Sequence, residues 1–455
     1  MIFTRPPRTN KSLGLNHLRL FNFRCFDDLS ISFHENLTVI VGGNGQGKTA
    51  TLDAIAAALG PFVGGFDDGK DCYFERDDIR LIRAVGSNRM ELADGGIRLH
   101  ANGSIDYYEL RWNRELAGPK SRTTRKHAQL LTQFAKRLQS QVRKEAEGIV
   151  TGTSLPIVAY YGTDRLWNTR RLPYKPLPRT SRMVGYTHCL ESGSDFHLMA
   201  EWFRYWSYTS LERRLKAQQE GKLIEPSEAD NALEAVRTAI NLCLAPSGWG
   251  DIDFNIERQE IVARHPQQGE LPVGMLSDGI RSMLTLVADI AFRTVKLNPN
   301  LGPFAASNTD GIVLIDEVDM HLHPAWQQII LSSLQEAFPR IQFIVTTHSP
   351  QVLTTVPSEC IRVLKDDGVH AAPAGSEGAE ASRLLERVFG VDQRPPASEA
   401  TQELYRYLDL VENDKWNDSE AVELRSKLDQ RYKGEEPALL QADLLIENRK
   451  WERGE

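Results

Sequence analysis

Apolar positions in residues 16–41 fall into short runs. HLRLFNFRCF comes first, then LSISF, which leads through a polar turn at residues 34–36 into LTVIV. Runs of this length, rich in Leu, Ile, Val and Phe, predict strands at the start of a sheet. A glycine-rich loop follows over residues 42–49, and ATLDAIAAAL (50–59) has the composition of a helix. The predicted unit is strand, loop, helix. From residue 60 to 114, Gly, Asp and Arg punctuate short alternating runs such as IRLHANGSIDYYELRW. These predict a small antiparallel region with a hairpin turn at residues 101–104.

Residues 123–147 carry a helical pattern, and LPIVAYYGTDRLW (155–167) reads as a buried strand and a turn, followed by the proline-rich RRLPYKPLPRTSR. Between 195 and 245 the periodicity is helical, with Trp202, Phe203, Tyr205 and Trp206 opposite a charged face. The stretch is too short for a long coiled coil and predicts a compact helical insertion. Its aromatics are either the core of that insertion or a base-stacking platform. GIVLIDEVD (311–319), the amphipathic AWQQIILSSLQEAF (325–338) and IQFIVTTHS (341–349) then give strand, helix, strand, as in a parallel α/β sheet. The tail from about residue 375 is charged and helix-prone, with a break at RPPASE (394–399).

With 455 residues, 41% hydrophobic and 25% charged, the chain can bury a sizeable core. It shows no apolar run of about 18 residues and no secretory leader, so a cytoplasmic protein without membrane contact is expected. Cys25, Cys72, Cys189, Cys243 and Cys360 lack CxxC spacing and read as reduced thiols. The net charge of −7 excludes a globally basic nucleic-acid binder. One local exception is residues 120–144, where eight Lys and Arg occur without an acid. That stretch is either a solvated helix face or a nucleic-acid contact.

The chemistry concentrates in three places. Gly42, Gly43, Asn44, Gly45, Gln46, Gly47, Lys48 and Thr49 match G-x-x-x-x-G-K-[ST] between a strand and a helix that Ala50 opens. Glycines let backbone N–H groups turn inward around phosphates, and the helix N-terminus adds a favourable field. Lys48 is then expected to reach the β- and γ-phosphates of ATP, and the Thr49 hydroxyl to ligate Mg²⁺. The run from Ile312 ends in Asp316 and Glu317. An apolar strand ending this way places Asp316 near Mg²⁺ and lets Glu317 orient and deprotonate the attacking water. On its own it is equally a strand ended by solvated acids. Asp319, His321, His323 and His348 admit a metal-cluster reading beside a purely structural one.

The third place is Leu276-Ser277-Asp278-Gly279, with His348 beyond the next strand. These residues resemble the signature motif and switch histidine of ABC-type ATPases. The resemblance implies an α/β P-loop ATPase head split by a β and helical insertion. Its two halves would be residues 1–115 and 270–375, the insertion 116–269 with a buried strand near 155–162, and the accessory helical segment 376–455. It implies a composite site in which Ser277 and Gly279 of one protomer complete the γ-phosphate shell of ATP held by Lys48 of another. Glu317, Lys48 and His348 would be catalytic, and the assembly a homodimer or higher oligomer. Asp278 and Ile280-Arg281 depart from the usual glycine and glutamine.

Leu20 to Arg24 with DEVDMHLHP (316–324) look like the chromosome-maintenance, RecF and OLD-like branch. There Arg24 is either a phosphate contact or an exposed arginine on a buried strand. No glutamine matches the branch's Q-loop; the turn at residues 76–78 stands nearest to it. Together with YYGTDR (160–165), IVTTHSPQVL (344–353) and the residues from Phe389 to Pro395, these resemble the PtuA-like ATPases of Septu and retron-associated anti-phage systems. That resemblance implies an HNH-type nuclease subunit as partner and, where a retron is involved, a reverse transcriptase and its DNA. The readings left open are a defence ATPase, a RecF-like repair ATPase binding DNA directly, and a nucleotide-gated scaffold with little turnover. Glu317 argues against the last. Nothing after residue 360 has an H-N-H or Toprim pattern.

Overall fold

The apolar runs lie in a six-stranded sheet ordered Gly368–Ala371, Ile361–Lys365, Leu37–Gly42, Ile341–Thr346, Gly311–Ile315, Ile157–Tyr161. All are parallel except the antiparallel edge strand Gly368–Ala371. Four of them are buried at every position, because helices cover both faces of a parallel sheet and leave no face for polar residues. The computed structural model describes residues 10–83, 88–163, 181–191, 196–223 and 225–454. Asp164, Arg165 and most of the proline-rich stretch after them lie outside the described residues.

Ile157–Tyr161 runs beside Gly311–Ile315 in the main sheet, although its sequence position placed it within the insertion. A five-residue apolar run buried on both sides needs a parallel neighbour, and among the described residues the insertion offers only helices and a small antiparallel sheet.

A second sheet, Phe26–Ser32, Leu13–Phe23, Ile97–Ile105 and Tyr108–Leu116, is antiparallel. It buries Leu18, Leu20, Leu99 and Trp112 and turns His17, Arg19 and Phe21 outward. The hairpin turn expected at residues 101–104 is not formed there. Those residues are strand, and the chain reverses at Asp106 and Tyr107, whose φ values are +55° and +64°. Gly103 instead serves close packing. A Cβ there would lie 2.1 Å from the Gly14 carbonyl oxygen on the neighbouring strand.

The insertion supplies helices Gln129–Ala146, Phe196–Gln219 and Glu228–Leu244 and a three-stranded sheet spanning Gly250–Asn255, Glu260–His265 and Gly269–Pro272. Trp202, Phe203 and Trp206 are buried, and Trp206 meets Phe292 of helix Asp278–Leu297 at 6.0 Å between ring centroids. These aromatics are core. The helix expected over 325–338 is broken at Gln328 and Ile329 into Pro324–Gln327 and Ile330–Ala337.

Residues divide into two compact units, Met1–Leu384 and Leu385–Glu455. In the second, Glu399–Glu412, Ser419–Tyr432 and Pro437–Arg453 enclose Leu404, Tyr407, Val411, Leu428 and Leu439. An Arg394–Glu436 ion pair of 2.6 Å ties its entry to its last helix. Among the described residues, no helix is long and apolar enough to cross a membrane.

Candidate nucleotide site

Parallel strands present their C-terminal ends along one edge, where α/β sheets bind ligands. Gly42, Tyr161, Ile315 and Thr346 all end strands on that edge. Beyond Gly42 the chain turns tightly into helix Lys48–Val63, with φ +80° at Gly45 and +87° at Gly47. A Cβ at Gly47 would also lie 2.2 Å from Phe26 Cζ and 2.6 Å from Cys25 Sγ. Both conformation and space therefore demand glycine at this position. Lys48 is 7% exposed, and its ammonium donates to the carbonyl oxygens of Gly42 and Gly43, each at 3.0 Å. Burial pushes its pKa below the ordinary lysine value, opposed by the charges of Asp316, Glu317 and Asp319.

The acidic pair is held from the neighbouring strand. Asp316 is buried and accepts the Thr49 hydroxyl at 2.7 Å and the Thr346 hydroxyl at 2.5 Å. The Thr346 oxygen in turn accepts the Glu317 N–H at 2.8 Å. Glu317 sits at φ +47°, a left-handed conformation that costs a non-glycine residue about 1–3 kcal/mol and persists only when its surroundings hold it. Asn22, Arg24 and His321 share that region, with φ +52°, +47° and +63°. Thr49 and Asp316 thus bring a hydroxyl and a carboxylate oxygen into contact beside Lys48. This hard-oxygen pair fits Mg²⁺.

Arg24 lies next to Cys25 and Phe26, which press on Gly47. Its Nε donates to Asp78 at 2.8 Å, and its Nη1 pairs with Asp53. Asp53, on the phosphate-loop helix, also accepts the Tyr160 hydroxyl at 2.9 Å. Burial, followed by the Asp53 charge, pushes the Tyr160 phenol well above its ordinary pKa. Arg24 is therefore placed at the loop with its charge already met by two acids. The turn Arg76–Asp78 contributes one of them.

Ser277 is exposed at the N-terminus of helix Asp278–Leu297, and Met275 just before it is 73% exposed. Gly279 packs against the segment after Glu317, where a Cβ would lie 2.5 Å from the His321 carbonyl oxygen. Asp278, which departs from the usual glycine, pairs with Arg281 one turn on. His348, half-buried, follows the strand Ile341–Thr346. Asp319 and the histidines do not converge: Asp319 accepts the Thr347 hydroxyl at 2.5 Å, and His323 Nδ1 accepts Ala325 N–H at 3.3 Å. Among the described residues, no group of three His, Cys, Asp or Glu is placed to hold a metal.

Sequence reasoning gave no individual role to Asp53, or to Tyr160 and Thr346 within the YYGTDR and IVTTHSPQVL motifs. Asp53 follows Thr49 by one helical turn, which could have marked it; for Tyr160 and Thr346 the motifs alone do not say which strands are neighbours.

Residues 17–242 match the model described as "AAA domain", and residues 197–354 match "AAA domain, putative AbiEii toxin, Type IV TA system". The chain is 29% identical to "Retron Ec83 probable ATPase" of Escherichia coli, over 97% of this chain and 88% of that one. It is 28% identical to "Septu protein PtuA" of Bacillus thuringiensis, over 42% of this chain and 52% of that one. The chain is similar to a retron ATPase and to a Septu protein. A solved SMC head domain from Thermotoga maritima aligns with 80% of this chain and all of its own at 17% identity, with a TM-score of 0.41.

Proposed function

We propose that the chain is the Mg²⁺-dependent, ABC-type ATPase subunit of a cytoplasmic anti-phage defence complex. It would act as a homodimer or larger homo-oligomer that restrains or releases an HNH-type nuclease according to nucleotide state. In a retron, a reverse transcriptase and its DNA would join the complex. The observation that carries the reading is the chain Thr49–Asp316–Thr346–Glu317, which joins the phosphate loop to a strained acid through three hydrogen bonds.

In this reading the loop's N–H groups and Lys48 bind the phosphates, the ammonium exchanging the Gly42 and Gly43 carbonyls for phosphate oxygens. Thr49 and Asp316 would hold Mg²⁺, which when bound neutralises charge on the phosphate oxygens. Glu317 accepts a proton from, and so orients, the attacking water, while His348 faces the γ-phosphate. Ser277, which is exposed, and Gly279 beside it would close over the nucleotide of a second protomer. ATP then bridges two protomers where the products do not, so the cycle opens and closes the assembly.

Two inactive variants, Lys48→Ala and Ser277→Arg, test the composite site. Mixed together they form one site carrying both lesions and one carrying neither, so turnover should return to a substantial fraction of wild type. Failure of the mixture to exceed either variant alone refutes it. Coexpression with the neighbouring genes tests the defence role: a nuclease should copurify with this chain, and its absence from the complex counts against that role.

A further inference from the structure

The outermost strand of the main sheet, Ile157–Tyr161, ends in two tyrosines whose side chains leave on opposite faces. On one face the Tyr160 hydroxyl donates to Asp53, on the phosphate-loop helix, at 2.9 Å. On the other the Tyr161 hydroxyl donates to Asp289 at 2.7 Å. Asp289 belongs to helix Asp278–Leu297, about three turns beyond Ser277 at its N-terminus. Between the two side chains, the Tyr161 carbonyl oxygen accepts the Asp316 N–H at 2.8 Å. One dipeptide is thus bonded to the helix that follows the phosphate loop, to the acid that would hold Mg²⁺, and to the helix that carries Ser277 and Gly279.

The helix end of this tie is built from buried charge. Asp289 and Arg293 are both buried, and Arg293 Nε donates to the same carboxylate oxygen, Oδ2, at 2.7 Å. Arg293 Nη1 donates to the Gly185 and Thr187 carbonyl oxygens at 2.9 and 3.1 Å. The other carboxylate oxygen, Oδ1, has no hydrogen-bond partner among the described residues. Every residue from Ser282 to Leu297 is buried. Apolar side chains fill such a space without desolvating two charges, and a buried ion pair is weak evidence for stability. The unpaired oxygen adds to the cost. Packing therefore does not account for the pair, whereas a directional tie between the helix and Tyr161 does. Burial, then the Asp289 charge, holds the Tyr161 phenol well above its ordinary pKa, so the donor is permanent.

We infer that Tyr161, with Tyr160 behind it, is a positioning residue that makes the placement of Ser277 depend on the nucleotide held by the same protomer, so that each ATP is felt at the site of the second protomer. The inference rests on the composite-site reading. Phosphates at Lys48 and Mg²⁺ at Asp316 would fix the end of the tyrosine strand. The Tyr161 hydroxyl passes that constraint to Asp289, and the stiff helix passes it to Ser277.

The test compares the full chain with Tyr161→Phe, which keeps the ring and the backbone and loses only the hydroxyl. Calorimetry gives ATP affinity, steady-state phosphate release gives kcat and its dependence on ATP concentration, and hydrogen exchange follows residues 278–284 with and without ATP. Exchange is measured with Ser277→Arg present in both chains, so that no second protomer closes over the helix and shields it directly. Affinity should stay within about threefold, while kcat falls about tenfold or more and the dependence on ATP loses its cooperativity. ATP should change exchange over 278–284 in the Ser277→Arg chain and should no longer do so once Tyr161→Phe is added. A merely structural role would lower the urea midpoint but move neither the split between affinity and kcat nor the exchange response. If Tyr161→Phe does not fold, Tyr160→Phe, which releases the phosphate-loop helix instead, carries the same expectations. The inference is overturned if kcat stays within about twofold of wild type, if affinity falls in step with kcat, or if the exchange response survives Tyr161→Phe or is absent without it. Wild type that binds ATP without turning it over refutes the proposed function, and the exchange comparison then decides this inference by itself; absence of ATP binding refutes both.

Discussion

Replacing Thr346 by Val isolates what holds Glu317 in place. Val has nearly the same shape, so the fully buried position keeps its packing and no cavity forms. What disappears is one oxygen that donates to Asp316 at 2.5 Å and accepts the Glu317 N–H at 2.8 Å. A hydrogen bond to a charged acceptor contributes about 1.5–3 kcal/mol, and leaving a donor without its partner costs about 1–3 kcal/mol. The two losses share one atom and do not add fully, which places the destabilisation at about 2–4 kcal/mol. The consequence for turnover is separate. Glu317 at φ +47° relaxes once its N–H is released, and a displacement of about 1 Å at a reacting group costs on the order of a hundredfold. Urea unfolding followed by fluorescence gives the first quantity, and steady-state phosphate release the second. Nucleotide affinity should change little, because the phosphate loop is untouched. Thr346→Ser keeps the hydroxyl and should keep most of the activity. Turnover within about twofold of wild type in Thr346→Val, with an unchanged urea midpoint, would refute the reasoning.

Gly47→Ala places a methyl group 2.2 Å from Phe26 Cζ in a left-handed conformation that alone costs about 1–2 kcal/mol; calorimetry should show ATP affinity reduced about tenfold or more. Gly279→Ala should do the opposite, since its Cβ strikes the His321 carbonyl at 2.5 Å outside the loop: nucleotide binding persists while turnover falls about tenfold or more. Burial pushes the Asp230 carboxyl up, but hydrogen bonds from the Ser210 and Ser227 hydroxyls, the Ser227 N–H and Arg214 outweigh it and hold the pKa well below the usual range. The folded state therefore binds this proton less readily than the unfolded chain, so its stabilisation is full above about pH 4 and is lost on further acidification. Asp230→Asn should be less stable than wild type at pH 7 in urea titrations, with the gap closing below about pH 4.

The parallel sheet was legible because its strands are apolar at every position, and the phosphate loop because glycines and Lys48 must stand at fixed spacing. The hairpin turn was misplaced because Asn102-Gly103 carries a turn signal, while Gly103 is required by the nearness of Gly14, a residue nearly ninety positions away. The same limit applies in the site. Lys48, Thr49, Asp316 and Glu317 could be read from motifs, but Thr346 and Tyr160 act through strand neighbours, and sequence spacing does not encode which strands are neighbours. Arg24 stood out as an arginine near the loop, yet its two carboxylates come from a helix and a distant turn.

The most direct test of the central claim is ATP hydrolysis by the purified chain, wild type beside Glu317→Gln, with bound nucleotide and mass in solution measured on the same samples. The account predicts turnover in wild type. In the variant it predicts turnover lowered by about a hundredfold or more, with ATP retained in a dimer or larger assembly. Normal hydrolysis by Glu317→Gln would contradict the role given to that residue, and absence of ATP binding by both would contradict the nucleotide site itself.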